Sequence, residues 1–168
     1  MKKLILLLLT LATLCSFALA EEILVEDGVA TNGDILVEYG FDYSSPEEVA
    51  LYLHAFDELP PNFITKYDAR DIGWVSKEGN LWDVAYGYSI GGDEFGNREG
   101  LLPESYDREW YECDVNYQGD YRGSERIVFS NDGLIYYTDD HYESFELLYD
   151  DWYFSDGWYS EEESDIEW

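Results

Sequence analysis

The chain changes its hydrophobic period once, near Gly87, and that single change limits the folds open to it. Before it, Val49, Tyr52, Leu53 and Phe56 recur at helical spacing behind Ser45-Pro46, a capping side chain followed by a proline suited to the first helical position. Leu59-Pro60-Pro61 ends that helix. Thr65 and Asp68 form a capping pair for a second short helix with Gly73 as its stop, and Leu81 to Ala85 reads as a third. After Gly87 the runs Tyr88–Ile90, Trp110–Val115, Arg126–Phe129, Leu134–Thr138 and Phe145–Leu148 are short, aromatic and β-branched, divided by Gly, Asn, Asp and Ser. Asn131-Asp132-Gly133 between two of them is a hairpin signal. Helices first and strands after predict an α+β fold, short N-terminal helices packed on a C-terminal antiparallel β-sheet.

The two ends read differently. Lys2 and Lys3 precede an apolar run from Leu4 to Leu14, and Ala18-Leu19-Ala20 fits a small-x-small cleavage site, so residues 1–20 are expected to be a secretory signal peptide and the product to be exported, extracellular and free of the membrane. Residues 21–44 are acidic with little periodicity and read as a pro-segment or a flexible arm, with short extended pieces at Ile23–Val25 and Ile35–Tyr39. Residues 150–168 mix acids with aromatics and carry no base, as a solvated tail would. Removing the leader removes Cys15 and leaves Cys113, so no intrachain disulfide is expected; Cys113, within an apparent strand, reads as a small buried side chain.

Charge makes the cations conspicuous. Nine Lys and Arg face 38 Asp and Glu, a formal net charge of −29. Without the leader the positive residues are Lys66, Arg70, Lys77, Arg98, Arg108, Arg122 and Arg126. Against that scarcity the run Glu112–x9–Arg122–x3–Arg126–x14–His141 suggests an anion site. A carboxylate, an imidazole and guanidinium groups are also what acid–base cleavage of a phosphodiester needs. Taken singly, each residue has a plainer reading: His141 as a structural histidine, Arg122 and Arg126 as counter-ions on an acidic surface, Glu99 as one solvated acid among many.

Segments in a fixed order narrow the choice. Ile64-Thr65-Lys66, Gly73-Trp74-Val75, Gly79-Asn80-Leu81, Asp83-Val84-Ala85, Ser89-Ile90-Gly91-Gly92-Asp93, Asn97-Arg98-Glu99-Gly100, Asn116-Tyr117, Arg126-Ile127 and Asp140-His141-Tyr142 run almost without gaps through Leu59–Leu147. This stretch closely resembles the barnase and binase family of secreted bacterial guanyl-preferring ribonucleases. The resemblance implies a ribonuclease domain over residues 45–149 with the microbial ribonuclease fold. It implies Glu112 as general base, His141 as general acid, and Lys66, Arg122 and Arg126 as cations around the scissile phosphate. It also implies a guanine-recognition loop of Phe95, Gly96, Asn97, Arg98 and Glu99, with Tyr142 as an aromatic beside the substrate. RNA is the implied substrate, the enzyme a monomer without metal or cofactor, and an acidic intracellular inhibitor of the barstar type a partner.

The chain departs from the family in one respect: known relatives are basic, whereas this sequence keeps the cations at the expected site and little other positive charge. Rival readings are a turnover-deficient ribonuclease-like binding module, a form autoinhibited by the acidic tail, and a sugar-binding protein suggested by an aromatic content of 18%. The last does not account for Lys66, Arg122 and Arg126 in register.

Overall fold

The computed structural model describes residues 23–150. The expected signal peptide, and the acidic tail beyond Asp150, lie outside the described residues. Within them, three short strands β1 (Leu24–Glu26), β2 (Val29–Thr31) and β3 (Leu36–Glu38) precede helix α1 (Pro46–Phe56). Then come β4 (Phe63–Ile64), α2 (Lys66–Asp71), a turn of 3₁₀ helix at Ser76–Glu78 and α3 (Leu81–Val84). Strands β5 (Ser89–Glu94), β6 (Trp110–Asp114), β7 (Arg126–Ser130), β8 (Ile135–Thr138) and β9 (Glu146–Tyr149) complete the fold. The protein is α+β, as expected, but three strands precede the helices.

Local chemistry sets the helix ends. Ser45 Oγ accepts from the Glu48 amide, capping α1, and donates to the Glu48 carboxylate. The helix stops where Asp57 turns left-handed at φ 56°, its N–H bonded to Leu53 O. Thr65 Oγ1 likewise accepts from the Asp68 amide at 3.1 Å and starts α2.

The main sheet has the order β4-β5-β6-β7-β8-β9. From β5 onward its neighbours are antiparallel, and Asn131-Asp132-Gly133 makes the β7–β8 turn. The expectation of a wholly antiparallel sheet needs one correction: β4 pairs parallel to β5. Two residues are too few to leave a periodic signal, and the α2–α3 segment supplies the crossover that a parallel pair requires.

A larger correction concerns residues 21–44. Residues 24–38 are not a flexible arm but an antiparallel three-stranded sheet lying on α1. Asp27 and Gly28, at φ 50° and 81°, form the two-residue turn whose twist suits a hairpin. Ala30 and Val37 are fully buried and cluster with Leu51 and Tyr52 of α1. The opposite side of α1, through Val49, Ala50 and Leu53, joins Cys113, Val115, Ile127 and Ile135 of the main sheet. The helix therefore lies between two sheets, and burial runs unbroken from Val49 to His54 instead of along the single face that the spacing predicts. Burying one such side chain as Leu51 contributes about 1.5–3 kcal/mol, so the small sheet is part of the folded unit.

Alternation on the strands sorts core from site. On β6, Tyr111 and Cys113 project to one face, while Trp110, Glu112 and Asp114 project to the other. The β7 partners keep the same split: Asp114 opposes Arg126, Glu112 opposes Val128, and Cys113 opposes Ile127. The α1 core thus takes the odd positions of β6, and the face away from α1 receives two acids and an arginine. Cys113 is 1% exposed and its thiol is pushed up by burial, in keeping with a packing role.

Candidate active site

Glu112 is at the centre of that second face and is 7% exposed. Such burial of a carboxylate requires partners, and two are present. The Lys66 ammonium donates to Oε1 and the Tyr142 hydroxyl to Oε2. Burial pushes the Glu112 carboxyl up; the bonds from Lys66 and Tyr142, with the Lys66 and Arg122 charges, outweigh it and hold the group below the ordinary glutamate range. The same contact acts in reverse on Tyr142, whose hydroxyl is raised by burial and by the Glu112 carboxylate.

Lys66 is delivered by the start of α2. Its backbone N–H donates to Asp93 Oδ2 at 2.9 Å, and Asp93 is the cross-strand partner of Glu112. The pairing shifts at a bulge between Gly91 and Asp93, where Gly92 takes φ 86°. The bulge turns Asp93 toward the helix start. Gly91 has its own constraint: a Cβ there would lie 2.6 Å from Cys113 and Phe63, so only hydrogen fits.

The arginines are organised by Asp114, two residues along β6 from Glu112 and on the same face. Arg122 grips it with Nε and Nη2, both at 2.6 Å, a bidentate pair. Arg126 Nε lies 2.8 Å from Asp114 Oδ1, close enough for charge pairing though off line for a hydrogen bond, and its Nη1 donates to Glu125 O. Burial disfavours the Arg122 charge, but the Asp114 pair overrides it and raises the guanidinium pKa. Asp114 and Arg126 are each 2% exposed. The sequence reading missed Asp114 and Asp93; among 38 acids neither has a spacing that marks it.

His141 is placed otherwise. It is exposed, on the loop after β8, with its ring 4.8 Å from that of Tyr142. His141 and Tyr142 are consecutive left-handed residues, φ 60° and 76°. That conformation costs roughly 1–3 kcal/mol for each non-glycine residue, so other bonds must hold it. Tyr142 thereby links the imidazole to Glu112, and its ring lies 5.1 Å from Phe95 at the head of the expected guanine loop.

In that loop the Asn97 side chain points inward. Nδ2 donates to Leu102 O and Glu104 Oε1, and Oδ1 accepts from the Leu102 amide. Its side chain is engaged within the loop by these bonds and shapes it. Gly96, Arg98 and Glu99 are exposed on the loop surface. A cavity of about 270 Å³ adjoins the loop, lined by Glu94, Phe95, Asn97, Glu104 and Arg108 among others; Glu112, Lys66, Arg122, Arg126 and Tyr142 do not line it.

Glu112, Lys66, Arg122, Arg126, Tyr142 and Phe95 thus share one face of one sheet, and His141 stands at its rim. Sheet, crossover and helices together have the α+β architecture of the microbial ribonucleases. The family model described as ribonuclease matches residues 47–149, and the chain belongs to that family, in its barnase and binase branch. The small N-terminal sheet precedes the matched residues. A ribonuclease from Heyndrickxia coagulans is 53% identical over 100 residues, covering 60% of this chain and 92% of that one. A ribonuclease from Bacillus intermedius is also 53% identical over 100 residues, here covering 62% of the relative. Guanyl-specific ribonuclease St from Saccharopolyspora erythraea is 37% identical over 91 residues, covering 54% of this chain and 80% of the relative.

Proposed function

We propose that this ribonuclease is a secreted endonuclease that cleaves RNA on the 3′ side of guanine by transesterification, then hydrolyses the 2′,3′-cyclic phosphate. The observation that carries the reading is the meeting of Lys66 and Tyr142 on the two oxygens of Glu112, beside an arginine pair on Asp114 and below His141.

RNA carries its own nucleophile. Glu112, kept ionised at neutral pH by its partners, takes the proton of the ribose 2′-OH, and the oxygen attacks phosphorus in line. His141, protonated, gives its proton to the departing 5′-oxygen. In the second step water adds and the two groups exchange roles. Each is worth typically 10²–10⁴-fold in rate. Negative charge grows on the phosphoryl oxygens, and Lys66, Arg122 and Arg126 meet it from positions fixed by Asp93 and Asp114. By analogy with removal of one oxyanion donor, each such cation contributes about 2.7–4 kcal/mol.

Guanine preference is supported by the name of the Saccharopolyspora relative and by the loop after Phe95. The guanine edge offers two donors and an acceptor, which a carboxylate such as Glu99 and backbone amides complement. The reading has the protein acting as a monomer; a barstar-type inhibitor, if acidic, would find less electrostatic attraction here than on a basic relative.

The test is initial rate on GpA against ApA, with product analysis and with EDTA. Guanosine 2′,3′-cyclic phosphate should form at least ~10²-fold faster than the adenosine product, because a mismatched base edge leaves polar groups unpaired, and EDTA should leave the rate unchanged. Equal rates on the two dinucleotides, or full turnover by Glu112→Gln, would overturn the reading.

A further inference from the structure

The mechanism above uses His141 and Tyr142 but leaves Asp140 without a task, although its carboxylate is the most heavily bonded on the catalytic loop. Oδ1 accepts from the amides of Glu143 and Ser144, both at 2.9 Å, and from Thr138 Oγ1 at 2.9 Å. Oδ2 accepts from Ser144 Oγ at 2.6 Å. Thr138, 2% exposed at the end of β8, in turn accepts from the Tyr142 amide at 3.1 Å. The loop is therefore tied at both ends to one carboxylate and, through Thr138, to the sheet. The two residues enclosed by those bonds are His141 and Tyr142, the pair in left-handed conformation.

We propose that Asp140 is the positioning residue for the general acid: it closes the loop so that His141 is aimed at the leaving oxygen and Tyr142 at Glu112. The inference rests on the acid–base reading above. His141 is exposed and its ring meets that of Tyr142, so the backbone that carries both sets its direction. Without Asp140 the amides of Glu143 and Ser144 lose their acceptor, and consecutive left-handed residues relax toward ordinary dihedrals. Asp140 touches no reacting atom. Its carboxyl is held down to about 2 by the Ser144 bonds first, so at working pH it is always the acceptor form.

The experiment separates aiming from folding by changing the leaving group. The substrates are GpA and a guanosine 3′-aryl phosphate whose phenolate leaves without protonation. In Asp140→Ala, kcat on GpA should fall by about 10- to 100-fold, the scale of a small misplacement of a catalytic group, with KM changed less than about threefold on that same ground of lost alignment. On the aryl ester kcat should stay within about threefold, since no acid is needed there. Asp140→Asn keeps an Oδ1 acceptor for both amides and should recover most of the GpA rate, and Ser144→Ala should fall between. His141→Ala is the control. If it loses activity equally on both substrates, the acid assignment itself fails. If it discriminates between leaving groups while Asp140→Ala, folded by circular dichroism, slows both equally, the positioning role is overturned. If Asp140→Ala does not fold, Ser144→Ala decides by the same ratio, and an unchanged ratio there refutes the proposal.

Discussion

Glu112 sits on a central strand and His141 on a connecting loop, so the two ends of the proposed proton path are held by different physics. On the strand, position follows from the fold. Cross-strand register puts Asp93, Glu112, Asp114 and Arg126 on one face, and burial makes every unpaired charge expensive, so the ion pairs are enforced by desolvation. On the loop Tyr142 is partly buried against the sheet, but the His141 ring is exposed and no burial holds it. The left-handed turn is retained because Asp140 and Thr138 absorb the local amides, a device of local hydrogen bonds anchored to the sheet at Thr138. The base half is thus coupled to global stability, and the acid half is coupled mainly to its own loop.

The hardest blow to this contrast falls on Asp114. Asp114→Ala leaves Arg126 buried beside no counter-charge and frees Arg122 from its bidentate anchor. Removing one partner of a buried pair costs about 3–5 kcal/mol. The urea midpoint should drop accordingly, and activity on GpA should fall in the protein that remains folded. A loss below about 1 kcal/mol, the range of exposed pairs, would mean that the base half is not tied to the core.

How much of this was legible in the sequence follows the same division. His141, Arg122 and Arg126 stand out because basic types are scarce in an anionic chain, whereas Glu112 and Lys66 are singled out by their place in the ribonuclease segments. Helix α1 could be read from Ser45-Pro46 and its apolar spacing, but its second buried face could not, since Leu51 and Tyr52 are covered by a sheet that the reading had not recognised. That sheet had a signal: Asp27-Gly28 and Asn32-Gly33 are hairpin dipeptides. Its outer strands fall on the expected extended pieces Ile23–Val25 and Ile35–Tyr39, but the middle strand, three residues long, is too short for alternation to register. Asp114 and Asp93 were invisible for another reason. Their roles depend on which residues lie across the strand and at a bulge, and pairing register is a tertiary fact. Asp140 stood inside a recognised motif, yet its hydrogen bonds appear only when the loop is folded.

A smaller effect separates the halves by pH. Both Glu112 and Asp140 have folded pKa values below their ordinary ones, 4.5 and 3.8 respectively. A depressed carboxyl stabilises the fold above its unfolded pKa, and that contribution disappears as pH falls through the folded value. For Asp140 the window runs from 3.8 down to about 2. The wild-type urea midpoint should decline across this window, and Asp140→Asn, which cannot titrate, should decline less. Identical slopes would show that the loop carboxylate shares no linkage with folding, sharpening the contrast to complete independence.

The smallest effect extends the comparison from the site to the whole surface. The cations of the proposed site are paired, Arg126 fully buried, whereas the acids that give a net charge of −29 greatly outnumber the bases. A dinucleotide places one phosphate among Lys66, Arg122 and Arg126 and little elsewhere. A long RNA also meets the anionic surround. Raising ionic strength from 0.01 to 0.1 M shortens the screening length from about 30 to about 10 Å, which damps the distant repulsion and leaves contacts inside the cleft largely intact. kcat/KM on polymeric RNA should therefore rise a few-fold over that interval, as expected for like-charge steering, while kcat/KM on GpA changes little. Ordinary nucleic-acid binding has the opposite slope, because neutralised phosphates release counterions. Parallel decline of both substrates from the lowest salt would place the cleft, not the surround, in control of encounter.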